Sequence, residues 1–368
     1  DIVFTTNDFL PSGANTVTGT GQVTLRPENV GDAINIGSAA GGAPVATYDL
    51  SDFAALANGF ATIHIGYDTT GTHTVRMGGF TGGSALRDDL EVHAPMGGGN
   101  ITLLDSTDTG GNDLTFDGVF AAGGPLTIDT GTTGQLAFAD DAGFGANDIA
   151  LVGDIFATFG GTLTGSGELI VEPTTATRAI DIGTVGAPQG GMVIPEAFID
   201  AVTAADFTSL RVGQNTTGQH SIFLGALGGI TPLDFDFSLV APVNGAGNLG
   251  EVRLHGDVTM AANNIVFDAD VRVDNTRTPT ITTGGGNASF MAAIFGTTTG
   301  ADETLTVDAG AGDITVDGTI SGQIGGGTNA TGLTQVTLTG ANVGLNGVNI
   351  VAGSTNGDGS LTVNNSGL

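Results

Sequence analysis

The chain has 368 residues, 38 of them acidic against 8 arginines and no lysine, with a formal net charge of −30 and neither cysteine nor tryptophan. That balance excludes nucleic acid and anionic membrane surfaces as partners, because both are neutralised by Lys and Arg, and the lack of cysteine excludes disulfides and thiolate metal sites. No stretch reaches the ~18 apolar residues of a membrane span, and 64 glycines set among Thr, Val and Ile favour short strands joined by tight turns.

The first strand phrase is Asp1-Ile2-Val3-Phe4, at a start that carries neither methionine nor a signal peptide and so fits a processed secreted product or a segment of a longer protein. Residues 26 to 37, Arg-Pro-Glu-Asn-Val-Gly-Asp-Ala-Ile-Asn-Ile-Gly, return at 172 to 183 as Glu-Pro-Thr-Thr-Ala-Thr-Arg-Ala-Ile-Asp-Ile-Gly. The same offset of about 147 pairs Gly66 with Gly213, His73 with His220 and Ala94-Pro95 with Ala241-Pro242. The chain is therefore an internal duplication, about 1–147 and 148–320, with further coils over 321–368. Alternation predicts Ile34, Ile36, Ile180 and Ile182 inward, and Asn35 and Asp181 outward.

Two short helices are predicted at matching places. Leu50 to Gly59 has a Ser or Asp N-cap, apolar residues at Leu50, Phe53 and Leu56, and a Gly stop. Ile194 to Val202 has Pro195 near its first position and Phe198, Ile199 and Val202 on one face. Both read as packing elements. Elsewhere short alternating phrases end in Asp or Asn turns: Leu114 to Gly118, Leu126 to Asp129, Leu305 to Asp308, Ile314 to Gly318, Val336 to Gly340 and Leu361 to Asn365. Their spacing suits a parallel β-solenoid, in which each coil of about 23 residues lays two or three strands on the previous one. All 368 residues then form one continuous all-β solenoid of roughly 16 coils and roughly 75 Å, with two short helical insertions. A hairpin sandwich fits less well, because the Asp-Gly pairs recur within repeat phrases rather than joining long alternating strands.

The run Val-Thr-Leu-Arg-Pro-Glu-Asn-Val-Gly-Asp-Ala-Ile-Asn-Ile-Gly, the short helix, Ala61 to Gly66, and Leu305 to Gly318 together resemble repeats of large bacterial surface proteins of the filamentous-haemagglutinin-like adhesin type. The second copy, with Arg178 to Gly183 and Leu210 to Gly213, is closer still. The resemblance implies a secreted, right-handed parallel β-helix with a structural or adhesive role; a secreted or cell-surface location is expected, with cell-surface or matrix polysaccharide as a candidate partner. The N-terminal secretion domain of such proteins is not visible.

Catalytic signatures are sparse, and the chain is expected not to be an enzyme. β-helical lyases use Arg or Lys beside calcium-bound acids, whereas the arginines here are scattered singly. Asp88-Asp89 and Asp140-Asp141 are adjacent, so they point to opposite faces rather than facing each other as a hydrolase pair does. His73 and His220, far apart in a solenoid, are expected as surface residues of a repeated loop rather than joint metal ligands. For metal, Asp140, Asp141 and Asp148 are the loose calcium candidates; the repeats of calcium β-rolls and EF-hands are absent, and no other cofactor is expected. The acidic residues otherwise read as a solvated surface. Gly97 to Gly99, Gly284 to Gly286 and Gly325 to Gly327 lack the ending of a phosphate loop and read as turns, and Asn215, Asn287, Asn329 and Asn364 begin Asn-x-Ser/Thr triplets. Thr-x-Thr triplets at 16, 72, 162, 280 and 337 are too widely spaced for an ice-binding stripe. A polysaccharide-binding or polysaccharide-cleaving β-helix is the main alternative. Neither end has an evident cap, and Ser366-Gly367-Leu368 followed by Asp1-Ile2-Val3-Phe4 would pass as an internal junction. End-to-end self-association of terminal coils is therefore expected, as a filament or as consecutive parts of a longer chain.

Overall fold

A computed structural model describes the chain apart from residues 12, 39–45, 70–71, 81–85, 95–97, 184, 186–189, 216–218, 230, 242–249, 275, 297–302, 318–332, 347–359 and 366–368. Pro95, Gly97, Pro242, Gly325 to Gly327, Asn329 and Ser366 to Leu368, all singled out in the sequence, lie outside the described residues. The fold is all-β, made of parallel strands with two short helices, and forms two compact units, Asp1–Thr175 and Ala176–Leu368.

In the first unit the chain visits three sheets in rotation. Leu90–His93, Asn100–Leu103 and Thr107–Asp108 belong to different sheets, and Leu114–Asp117, Val119–Ala122 and Leu126–Asp129 then add to the same three in the same order. The next round, Leu136–Phe138, Ala142–Gly143 and Ile149–Val152, does so again. The second unit behaves alike: Asp236–Val240, Ile265–Asp268, Ala288–Phe290, Ile314–Val316 and Val343–Leu345 lie side by side in one sheet, and Ser221–Leu224, Glu251–Leu254, Asp270–Val273 and Ile294–Gly296 in another. The sequence phrases ending in Asp or Asn are strands too: those at 114, 126 and 314 belong to these sheets, and Thr304–Asp308, Gln335–Gly340 and Ser360–Asn365 lie side by side in a further parallel sheet.

Inward positions repeat in register, so like stacks on like. Phe116, Phe138 and Phe159 are aligned across adjacent strands with ring centroids 5.5 and 5.1 Å apart, and Phe267 stacks on Phe290 at 4.9 Å. Such pairs contribute ~0.5–1.5 kcal/mol beyond the area they bury. Ile34, Ile36, Ile180 and Ile182 are all fully buried. Asn35 and Asp181 do point to the other face of their strands, but solvent does not reach them: they are 6% and 1% exposed. Each is flanked in register by larger side chains, Arg76 beside Asn35 and Phe223 beside Asp181.

Aspartates and asparagines tie neighbouring strands together. Several accept a hydrogen bond from a backbone N–H 20 to 29 residues further along, from Asp148 with Glu168 N to Asp313 with Asn342 N. Asp89 accepts from Asp113 N and Asp113 from Gln135 N; Asp236, Asn264, Asn287 and Asp313 form an unbroken series ending on Asn342 N. A considerable part of the acidity is therefore structural rather than a free solvated surface, because these turn-edge N–H groups have no strand partner and need an acceptor.

The helices lie at Leu50–Ala55 and Glu196–Ala204, each following a short strand that pairs with the isoleucine strand before it. Asp49, rather than Ser51 or Asp52, is the first N-cap, and Asp52 returns the bond to Asp49 N, a capping box. Phe53, Leu56, Phe198, Ile199 and Val202 are buried, which accounts for the apolar stripes.

Candidate functional site

The site begins with strand alternation in the first unit. Ile63, Ile65, Leu90 and Val92 are buried in the core, so His64, Glu91 and His93 must project from the opposite face. Parallel register then places Thr24, His64, Glu91 and Thr115 in one row, and His93 beside Asp117. The two imidazoles stack, with centroids 3.9 Å apart and planes 16° from parallel.

Glu91 spans both rings. Its Oε2 lies 3.6 Å from His64 Nδ1 and its Oε1 lies 3.4 Å from His93 Nε2. The far nitrogens meet other carboxylates: His64 Nε2 is 2.5 Å from Asp68 Oδ1, and His93 Nδ1 is 2.7 Å from Asp117 Oδ2. The imidazoles are buried (3% and 5% exposed), whereas the carboxylates around them reach solvent. None of the four ring nitrogens makes a well-aligned hydrogen bond. Burial, then the neighbouring His93, pushes His64 below its ordinary pKa, against the opposing pull of Asp68 and Glu91. The donor atoms of His64, Glu91 and His93 all lie within 4.8 Å of one another, the one such group of three among the described residues.

Beside His64 is a polar pocket of about 200 Å³ whose wall includes Gln22, Thr24, Arg26, Tyr67 and Asp68. The Arg26 guanidinium lies over the Tyr67 ring at 5.1 Å, and the Tyr67 hydroxyl donates to Pro27 O. Behind the cluster, His73 Nε2–H donates to the His93 carbonyl at 2.9 Å. Gly66 makes this approach possible. Its φ is +102°, and a Cβ there would sit 2.5 Å from His93 O and 2.8 Å from His73 Nε2.

His73 and His220 are not surface residues: both are fully buried. Each packs beside its repeated glycine, where backbone polar groups give the ring a partner; in the second unit Gln214 N donates to His220 Nε2 at 3.1 Å. The calcium candidates stand apart from the histidine cluster. Asp141 accepts from Thr162 N and Asp148 from Glu168 N as members of the interstrand series, and Asp140 is pushed above its ordinary range by burial and by the Asp117 and Asp141 charges. The three do not bring ligand atoms together as a group. Asp88 and Asp89 likewise serve different backbone groups, Gly59 N and Asp113 N.

Sequence reasoning missed His64, Glu91 and His93. His64 precedes Glu91 by 27 residues and His93 by 29, a separation that only strand register converts into contact, although Glu91-x-His93 on an alternating strand was a usable signal. At the duplication offset the equivalent positions are Arg211, Ser238 and Val240, so the second copy lacks the cluster. That unit instead pairs Glu251 with Arg253 and Arg272, and Asp274 with His255. Burial alone would raise Asp274; His255 and the two arginines outweigh it and hold the carboxyl low. No protein-family model matches the chain, and neither the curated proteins nor the solved structures include a match.

Proposed function

We propose that the chain is a right-handed parallel β-solenoid that serves as a structural and adhesive module of a bacterial cell surface or extracellular matrix. The rotation of the strands through three parallel sheets carries this reading. Parallel crossover connections within a sheet are right-handed in nearly all proteins, and a unit that needs only its neighbours is lengthened by duplicating blocks. The acidic outer faces keep such modules apart and soluble. The adhesin resemblance in the repeat phrases supplies the cell-surface setting.

Self-association belongs to the same proposal. Strand Ser360–Asn365 is largely exposed and has its partner, Gln335–Gly340, on one side. Among the described residues no strand pairs with its other edge, whose backbone N–H and C=O groups suit a further parallel strand, whether of a second copy or of the same polypeptide.

A polysaccharide-binding role is the second reading, favoured by the polar pocket that brings Arg26, Tyr67, Gln22 and Asp68 together. One experiment addresses both. Beads bearing the chain at low and high density are exposed to a panel of matrix polysaccharides, and the supernatants are assayed for new reducing ends and unsaturated products. Retention that rises steeply with density, without products, supports an adhesive module. Retention equal at both densities favours a single-site binder. Products assign an enzyme and overturn the proposal, as does no retention at any density.

A further inference from the structure

We propose that His64, His93 and Glu91 form a binding site for one divalent first-row transition metal ion, with zinc as its best-suited occupant. The proposal does not depend on the scaffold reading.

The donor set is the first argument. Two imidazoles and one carboxylate suit zinc and its neighbours, whereas calcium takes an all-oxygen shell. The second is the way the rings are held. His64 Nδ1 and His93 Nε2 face the same carboxylate, Glu91, while the opposite nitrogen of each ring is backed by its own carboxylate, Asp68 or Asp117. That is the arrangement by which an outer carboxylate fixes the tautomer of a metal-bound histidine and raises its basicity.

Third, both imidazoles are more than nine-tenths buried, yet the two inner nitrogens, 3.6 and 3.4 Å from Glu91, have no aligned hydrogen bond. Buried polar atoms normally have one. An ion would engage the two inner nitrogens and leave the outer N–H groups to Asp68 and Asp117. Its double positive charge would also be offset by three carboxylates close together. The polar pocket beside His64 gives an access path and room for water as a further ligand. Binding requires the donors to draw together to the ~2.0–2.2 Å of zinc–nitrogen and zinc–oxygen bonds, a rotation of two stacked rings on a rigid sheet. With the backbone fixed by the strand register, the motion is confined to side chains.

The test uses the whole chain, freed of metal by chelator and dialysed. It is titrated with Co²⁺ and then Zn²⁺ in excess Ca²⁺, so that loose binding to the acidic surface is already saturated. We expect one equivalent of Co²⁺ to give a visible absorption band that Zn²⁺ abolishes. His64→Gln, His93→Gln and Glu91→Gln should each weaken binding at least about tenfold, the lower end of what losing even an outer-shell partner costs. Asp141→Asn should bind as the parent does. Imidazole nitrogen NMR of the unaltered chain covers the case in which a variant fails to fold: Zn²⁺ should shift the ring signals of His64 and His93 and leave those of His73, His220 and His255 in place. Absence of saturable binding, unchanged affinity in folded histidine variants, or unmoved His64 and His93 signals would each overturn the site.

Discussion

The carboxylate of Asp113 accepts a hydrogen bond from the backbone N–H of Gln135 at 2.7 Å, while the N–H of Asp113 itself donates to Asp89 at 2.9 Å. One residue thus joins three successive strands. Replacing it by Ala leaves the Gln135 N–H without its acceptor, at a cost of about 1–3 kcal/mol. Asp113→Asn keeps an acceptor oxygen and should retain most of the stability. Urea unfolding of both variants checks this; equal losses would mean that the carboxylate's charge, not its acceptor role, matters there.

Ile182→Ala should lose roughly 2–5 kcal/mol, since the side chain is fully buried between its register partners Ile194 and Leu224. Val193→Ala, at a position 46% exposed one strand away, should change stability by less than about 0.5 kcal/mol. Thermal or denaturant melts of the pair measure the contrast, and similar losses at both positions would contradict the assigned register.

At Gly213, φ is +98° and an added Cβ would lie 2.1 Å from Val240 O. Gly213→Ala should therefore destabilise by about 1–3 kcal/mol or more, from backbone strain combined with a clash against main chain that cannot step aside. Gly66→Ala adds a second readout, because the displaced atoms include His93 O and His73 Nε2. In that variant the His73 and His93 ring resonances should move, which NMR would register even if stability fell little.

The helix cap gives a pH prediction. Burial, with the Asp49 and Asp8 charges, raises Asp52 from 3.8 to about 6, against the hydrogen bond it accepts from Asp49 N. A carboxyl that is easier to protonate when folded contributes stability below about pH 4 that is lost as pH rises through about 6. Asn cannot ionise, so Asp52→Asn should gain on the parent by about 1–2 kcal/mol between pH 3.5 and 7, the range allowing for screening. Paired unfolding curves at the two pH values measure that difference. A gap that stays constant or narrows would show that Asp52 is not held protonated.

What the sequence determined by itself is periodic. Glycine, Thr/Val/Ile phrases and Asp or Asn at fixed places name the strands and corners, and the offset of about 147 names the repeated elements, because alternation and turn chemistry act over a few neighbouring residues. Ile36 and Ile182 were legible as core for that reason. Tertiary structure decided what depends on register between strands some 20 to 30 residues apart. It turned Asp113 and Asp141 from surface charge into interstrand acceptors, buried His73 and His220 beside their glycines, and set His64 against Glu91 and His93. Lateral pairing is fixed by the summed packing of whole sheets, so no local pattern around His64 announces which residue will lie across from it.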